Sequence, residues 1–196
     1  MYNRIILMYG GRVMQNKGLS KVEKERITEI TERLLTDFGY YDRENTYVDI
    51  SKLAMSVGFK VGESRKLAFT DDGFIYASKD KDKSIIGVNY DRSIEEKRFI
   101  VAHELAHYYL HIPNLNDEDT IMFREHIKGK DETENDADYF AASILMPRKI
   151  FKSNYDRLIA NGYDLSDIVD GLQLIFKTPR ESVKRRIEEV CINGEG

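Results

Sequence analysis

The sequence predicts an α+β fold: a small antiparallel sheet packed on one buried helix, followed by a helical C-terminal subdomain. Three observations predict it. Between residues 59 and 89 the chain falls into short β-prone runs separated by turn-forming residues. Residues 99–111 then form a largely apolar stretch at helical spacing, with His103, Glu104 and His107 set inside it and His111 at its end. After residue 147 the spacing stays helical through three further segments. At 196 residues the chain is long enough to bury a sizeable core.

Taken in order, residues 1–18 form an N-terminal arm, either a short strand or a loose segment, and Gly10-Gly11 interrupts any regular element there. Ser20 to Glu23 is a capping-box pattern that opens a helix carrying Ile27, Ile30, Leu34, Leu35 and Phe38 up to Gly39. Asp49 caps a short second helix with Ile50, Leu53, Ala54 and Val57, closed by Gly58. The strand-like runs are 59–61, 66–69, 73–77 and 84–89, with turns at 71–73 and 79–82. Ser93 to Glu96 is a second capping box, and Pro113 stops the helix that it starts. Residues 113–138 hold nine acids against three bases; their first part reads as a loop and their last part enters a helix with the stripe Ala137, Phe140, Ala141, Ile144 and Leu145. Helices then follow over 148–159 and 165–176. A last one opens at Thr178-Pro179-Arg180-Glu181, with Thr178 as cap and proline at the first helical position. This divides the chain into the arm 1–18, a core unit 19–147 and a helical subdomain 148–196.

Composition excludes several classes. No apolar run approaches the roughly 20 residues that a membrane span needs. The run Ile5 to Tyr9 is too short for a secretory segment, so the chain reads as cytoplasmic. A single cysteine, Cys191, permits neither an internal disulfide nor a cysteine-based zinc cluster. Residues 148–190 carry nine bases against seven acids, too small an excess for a phosphate-binding surface, so direct nucleic-acid binding is not expected.

The chemistry centres on His103-Glu104-Leu105-Ala106-His107. Histidines at i and i+4 leave one helix face a turn apart and can converge on one ion. Glu104 lies beside that face, suited to take a proton from water without being a ligand. Two imidazoles and a carboxylate in an apolar helix need partners there. A catalytic zinc takes three protein ligands and keeps one position open. Candidates for the third are His111, His126, Glu132, Glu134, Asp136 and Asp138. On a straight helix His103 and His111 stand roughly 12 Å apart, too far to share an ion, so His111 is a helix C-terminal cation or a group behind the ligands. Glu134 and Asp138 lie one turn apart on the next helix. A helix presenting Glu134 to a metal presents Asp138 to a ligating histidine, where it can accept the Nδ1 proton. Asp136 points about 200° away from Glu134. The spacing selects His103, His107 and Glu134 as ligands, Glu104 as base and Asp138 as support.

The runs Ile100 to His111 and Glu134 to Pro147 (ending Phe140-Ala141…Leu145-Met146-Pro147) together resemble the ImmA/IrrE family of metallo-endopeptidases. Residues 48–58 and 175–186 resemble its flanking helices, and the likeness spans roughly residues 20–190. The sequence departs from the family at Asp136, where glutamate is common, which keeps Asp136 as the alternative third ligand. The Glu134–Asp138 spacing is also similar to that of thermolysin-like zincins. The resemblance implies a zincin-like fold, a Zn²⁺ cofactor and peptide-bond hydrolysis. It implies as partner and substrate a helix-turn-helix repressor whose cleavage relieves repression, as in mobile elements and stress responses. It also implies an extended peptide added to a sheet edge, for which Ile85 to Val88 is the candidate. The rival classes are a zinc-binding interaction module without catalysis and a DNA-binding regulator; an intact Glu104 argues against the first.

Overall fold

The computed structural model describes residues 5–7, 19–40, 47–67, 72–78, 83–111, 120–124 and 132–192. Strand β1 is Ile5–Leu7, the described part of the arm. Helix α1 (Lys21–Asp37) starts where Ser20 Oγ accepts the Glu23 amide and buries Ile27, Thr31, Leu34 and Leu35. Only half of the expected capping box forms, because the Glu23 carboxylate pairs with Arg26 at 2.6 Å. Helix α2 (Ile50–Ser56) is capped by Asp49, whose side chain accepts the Lys52 amide. Gly39 and Gly58, just past these two helices, take φ of +69° and +106°, as a helix stop requires.

Strands β2 (Lys60–Ser64), β3 (Gly73–Ser78) and β4 (Ile85–Asn89) precede helix α3 (Ile94–Leu110), and strand β5 (Thr120–Arg124) follows it. The described sheet is mixed rather than antiparallel, in the order β1-β5-β3-β4-β2. The β3–β4 and β3–β5 pairs are antiparallel, while β1–β5 and β2–β4 are parallel. The reason is topological. Strand β3 runs against the other four, and since it has only two neighbours, β4 and β5, the outer strands β2 and β1 lie beside strands running their own way. This also corrects the expected peptide edge: β4 is paired on both sides, and β2 and β1 are the terminal strands among those described. Residues 65–67 form a bend where a strand was expected; Ala68, Phe69, Asp71 and the turn 79–82 lie outside the described residues. A strand, β5, stands within the stretch read as loop.

One face of the sheet carries the core. Along β3, buried Gly73, Ile75 and Ala77 alternate with half-buried Phe74, Tyr76 and Ser78. The ring of Phe74 lies over its cross-strand partner Gly87, where an added Cβ would meet ring carbons at 2.2 Å. Helix α3 packs on the buried face, and its capping box forms in full: Ser93 Oγ accepts the Glu96 amide and Glu96 accepts the Ser93 amide. Every residue from Ile100 to His107 is buried. Helix α4 (Glu132–Leu145) lies against α3 and adds Ala137, Phe140, Ala141, Ile144 and Leu145 to the same core.

Helices α5 (Arg148–Ala160), α6 (Leu165–Phe176) and α7 (Arg180–Ile187), with a π-helical turn over Glu188–Ile192, build a second cluster around Met146, Phe151, Ile168, Leu172, Phe176 and Val183. Thr178 does not cap α7. Its hydroxyl is buried and faces Met146 Sδ at 3.5 Å, and Pro179 stands at the cap position. Two buried arginines join the clusters. Arg98 on α3 donates to the carbonyls of Val48 and Lys177, and Arg186 on α7 donates to Met146 O and Ser143 Oγ.

Candidate metal centre

Helix α3 places His103 and His107 on one face, with their Nε2 atoms 3.1 Å apart. Helix α4 brings Glu134 to them: its Oε2 lies 3.0 Å from His103 Nε2 and its Oε1 lies 3.6 Å from His107 Nε2. One donor atom from each residue falls within 4.8 Å of the others. Four ligands around zinc at roughly 2.0–2.2 Å stand roughly 3.3–3.6 Å from one another, so these separations suit a shared ion. The donor chemistry fits as well. Two imidazoles and a carboxylate form a set that binds zinc with a further position open.

The imidazole of His107 is held in the ligating form. Burial first, and then the neighbouring His103 and His111, push its pKa down to about 2, against a partial opposing pull from Asp138. A metal-binding imidazole must be neutral, and this environment keeps it so. His103 Nδ1 lies 3.2 Å from Asp138 Oδ1, the place that the sequence assigns to Asp138. The other Asp138 oxygen lies 3.7 Å from Arg185 Nη1, so α7 reaches the site through one long side chain.

Of the remaining third-ligand candidates, Asp136 is not in the donor set. Its Oδ2 lies 3.5 Å from His111 Nε2, and His111 Nδ1 lies 3.0 Å from His107 Nδ1. His126 lies outside the described residues, and Glu132 opens α4. The tyrosines beside the motif serve as packing. Tyr108 meets Phe59 edge-on and Tyr109 stacks on Phe140, where burial raises its pKa to about 12. The Tyr139 hydroxyl lies 3.4 Å from Thr28 Oγ1.

Glu104 is fully buried. Beside it runs the first residue of β3: a Cβ on Gly73 would stand 3.1 Å from Glu104 Oε1 and 2.5 Å from Ile100 Cγ2. Sequence reading sets Gly73 at the end of the 71–73 turn and the start of the 73–77 strand, and misses this close approach. The signal was its period with Ile75 and Ala77, which places it on the buried face.

A helix offering two histidines, with a carboxylate from the next helix, defines a candidate metal-dependent hydrolase. The chain belongs to the peptidase M78 family, whose IrrE N-terminal-like domain matches residues 54–188. Membership implies a metallopeptidase-type function and hence a metal. No curated protein matches the chain. Among solved structures it is similar to a Mycobacterium tuberculosis transcriptional regulator, with a TM-score of 0.54 and 19% identity over 83% of this chain and 47% of that one. The chain thus spans about half the length of that regulator, and the likeness is one of fold. Among the described residues no helix is long and apolar enough to cross a membrane.

Proposed function

We propose that the chain is a zinc-dependent endopeptidase of the cytoplasm that hydrolyses a peptide bond in a helix-turn-helix transcriptional repressor and so relieves repression. The convergence of His103, His107 and Glu134 on one point carries the reading. Family membership supports the peptidase class. The repressor rests on the ImmA/IrrE resemblance of the sequence.

His103 and His107 would hold the ion through Nε2, and Glu134 through a carboxylate oxygen. Zinc, when bound, supplies a Lewis acid that polarises a peptide carbonyl and lets water lose a proton near neutral pH. Glu104 accepts that proton as the water oxygen adds to the carbonyl carbon, and returns it to the amine as the C–N bond breaks. Its burial beside Gly73 and Ile100 keeps it away from bulk water. Asp138 accepts the Nδ1 proton of His103 and so fixes the tautomer that leaves Nε2 free to ligate.

The test is co-expression of wild type or Glu104→Gln with a candidate repressor, following repressor integrity by gel and its promoter by reporter. The peptidase reading expects cleavage and derepression by wild type only. Equal derepression by both proteins with the repressor intact means that the chain acts by binding.

A further inference from the structure

Each ligating histidine poses the same problem. An imidazole that gives Nε2 to a metal carries its proton on Nδ1, and that proton needs a fixed acceptor. For His103 the acceptor is a carboxylate, Asp138. For His107 the atom at 3.0 Å is another ring nitrogen, Nδ1 of His111.

Two Nδ1 atoms at that separation hold one proton between them. If His107 supplies it, His111 Nδ1 is the acceptor, and Nε2 is the nitrogen of that ring left to donate. That atom faces Asp136 Oδ2 at 3.5 Å, a long contact but with an acceptor of the right sign. Every proton in the row therefore has one place, running from His107 to His111 to Asp136. The side chains of His111 and Asp136 are only 11% and 15% exposed, so water offers them little competition. The C-cap role leaves the His111 ring unused, because it is the backbone amide that bonds to His107 O at 3.0 Å.

We propose that His111 and Asp136 form a positioning pair for His107, fixing the tautomer and ring orientation of that ligand. Helix α4 then supplies three carboxylates with three tasks. Glu134 joins the donor set, Asp138 supports His103 directly, and Asp136 supports His107 through the intervening His111. This inference rests on the zinc reading above.

The test measures zinc affinity by competition with a chromophoric chelator, for wild type, His103→Ala, His111→Phe, His111→Asn, Asp136→Ala and the double variant His111→Phe/Asp136→Ala. Circular dichroism checks folding. His111→Phe keeps a ring and removes the acceptor, so affinity should fall roughly 10–100-fold, the range for groups behind a metal ligand. His111→Asn keeps an acceptor oxygen near the Nδ1 position and should recover most of the loss. Asp136→Ala should weaken binding less, and the double variant should be no weaker than His111→Phe, because Asp136 acts through His111. Wild-type affinity in His111→Phe, equal weakness of His111→Asn and His111→Phe, or losses that simply add would each overturn the pair. If His111→Phe does not fold, unchanged affinity in Asp136→Ala overturns it. Absence of zinc binding in wild type defeats the underlying reading. Binding that His103→Ala abolishes and His111→Phe leaves unchanged defeats only this inference.

Discussion

Gly73→Ala is the substitution that joins fold and chemistry most closely. The added methyl meets Ile100 Cγ2 at 2.5 Å, Glu104 Oε1 at 3.1 Å and the Gly87 carbonyl oxygen at 3.1 Å. Carbon pairs normally rest about 3.5–4.0 Å apart, so the strand or Ile100 must yield by roughly 1 Å or more. Ile100 is 7% exposed and β-branched within a helix, with little rotamer freedom to yield. Overpacking of this kind costs about 1–3 kcal/mol. For a chain of this length, that lowers Tm by roughly 2–12 °C. The same displacement presses on the Glu104 carboxylate. A misplacement of about 1 Å can cost roughly 100-fold in rate, so hydrolysis should fall by that order. Zinc content should stay at the wild-type level, because none of the three contacts is a ligand. Thermal melts by circular dichroism, elemental analysis and turnover of a fluorogenic peptide pool read the three quantities. A Gly73→Ala protein with unchanged Tm and unchanged turnover would refute the packing argument.

Further outcomes follow from other contacts. Asp138→Asn should weaken zinc binding roughly 10–100-fold without abolishing it, as measured by chelator competition. Arg186→Leu removes the donors that serve Met146 O and Ser143 Oγ; at about 1–3 kcal/mol per buried group left unpaired, it should lower the guanidinium midpoint. Glu96→Gln tests the capping box. The Ser93 amide first, and the Ser93 hydroxyl next, hold the Glu96 carboxyl below its usual 4.5. Stability from this group is therefore present above about pH 4.5 and is lost as pH falls through the lower folded value. Denaturant midpoints between pH 3 and 7 should show a shallower acid decline for Glu96→Gln than for wild type.

What the sequence made legible is what depends on neighbours along the chain. Ser93 with Glu96, Asp49 with Lys52, and the i, i+4 relation of His103 to His107 are all local, and each stands in the structure at its expected place. Glu134 and Asp138 followed from one further step, the turn between them on α4, once α3 was taken as its packing partner. Strand pairing is not local. Nothing in Lys60–Ser64 states that it will lie against β4 rather than β3, and the parallel pair follows from that choice alone. Strand β5 was hidden because its five residues sit within a strongly acidic stretch that reads as loop. Thr178 has the residue type of a cap, but the burial of its hydroxyl against Met146 is decided by the second core cluster. Asp136 points away from Glu134, as helical spacing requires. Only the place where α3 ends shows that His111 is waiting there.

In the proposed mechanism His103, His107 and Glu134 hold one zinc and Glu104 is the base. The most direct measurement is the zinc content of protein purified without chelators, taken in parallel for wild type, His103→Ala, His107→Ala, Glu134→Gln, Asp136→Asn and Glu104→Gln. Close to one zinc per chain is expected in wild type, Asp136→Asn and Glu104→Gln, and almost none in the three ligand variants. Peptide hydrolysis by Glu104→Gln should fall roughly 10²–10⁴-fold although its metal is intact. Wild type without metal, or zinc retained by Glu134→Gln and stripped by Asp136→Asn, would overturn this ligand set.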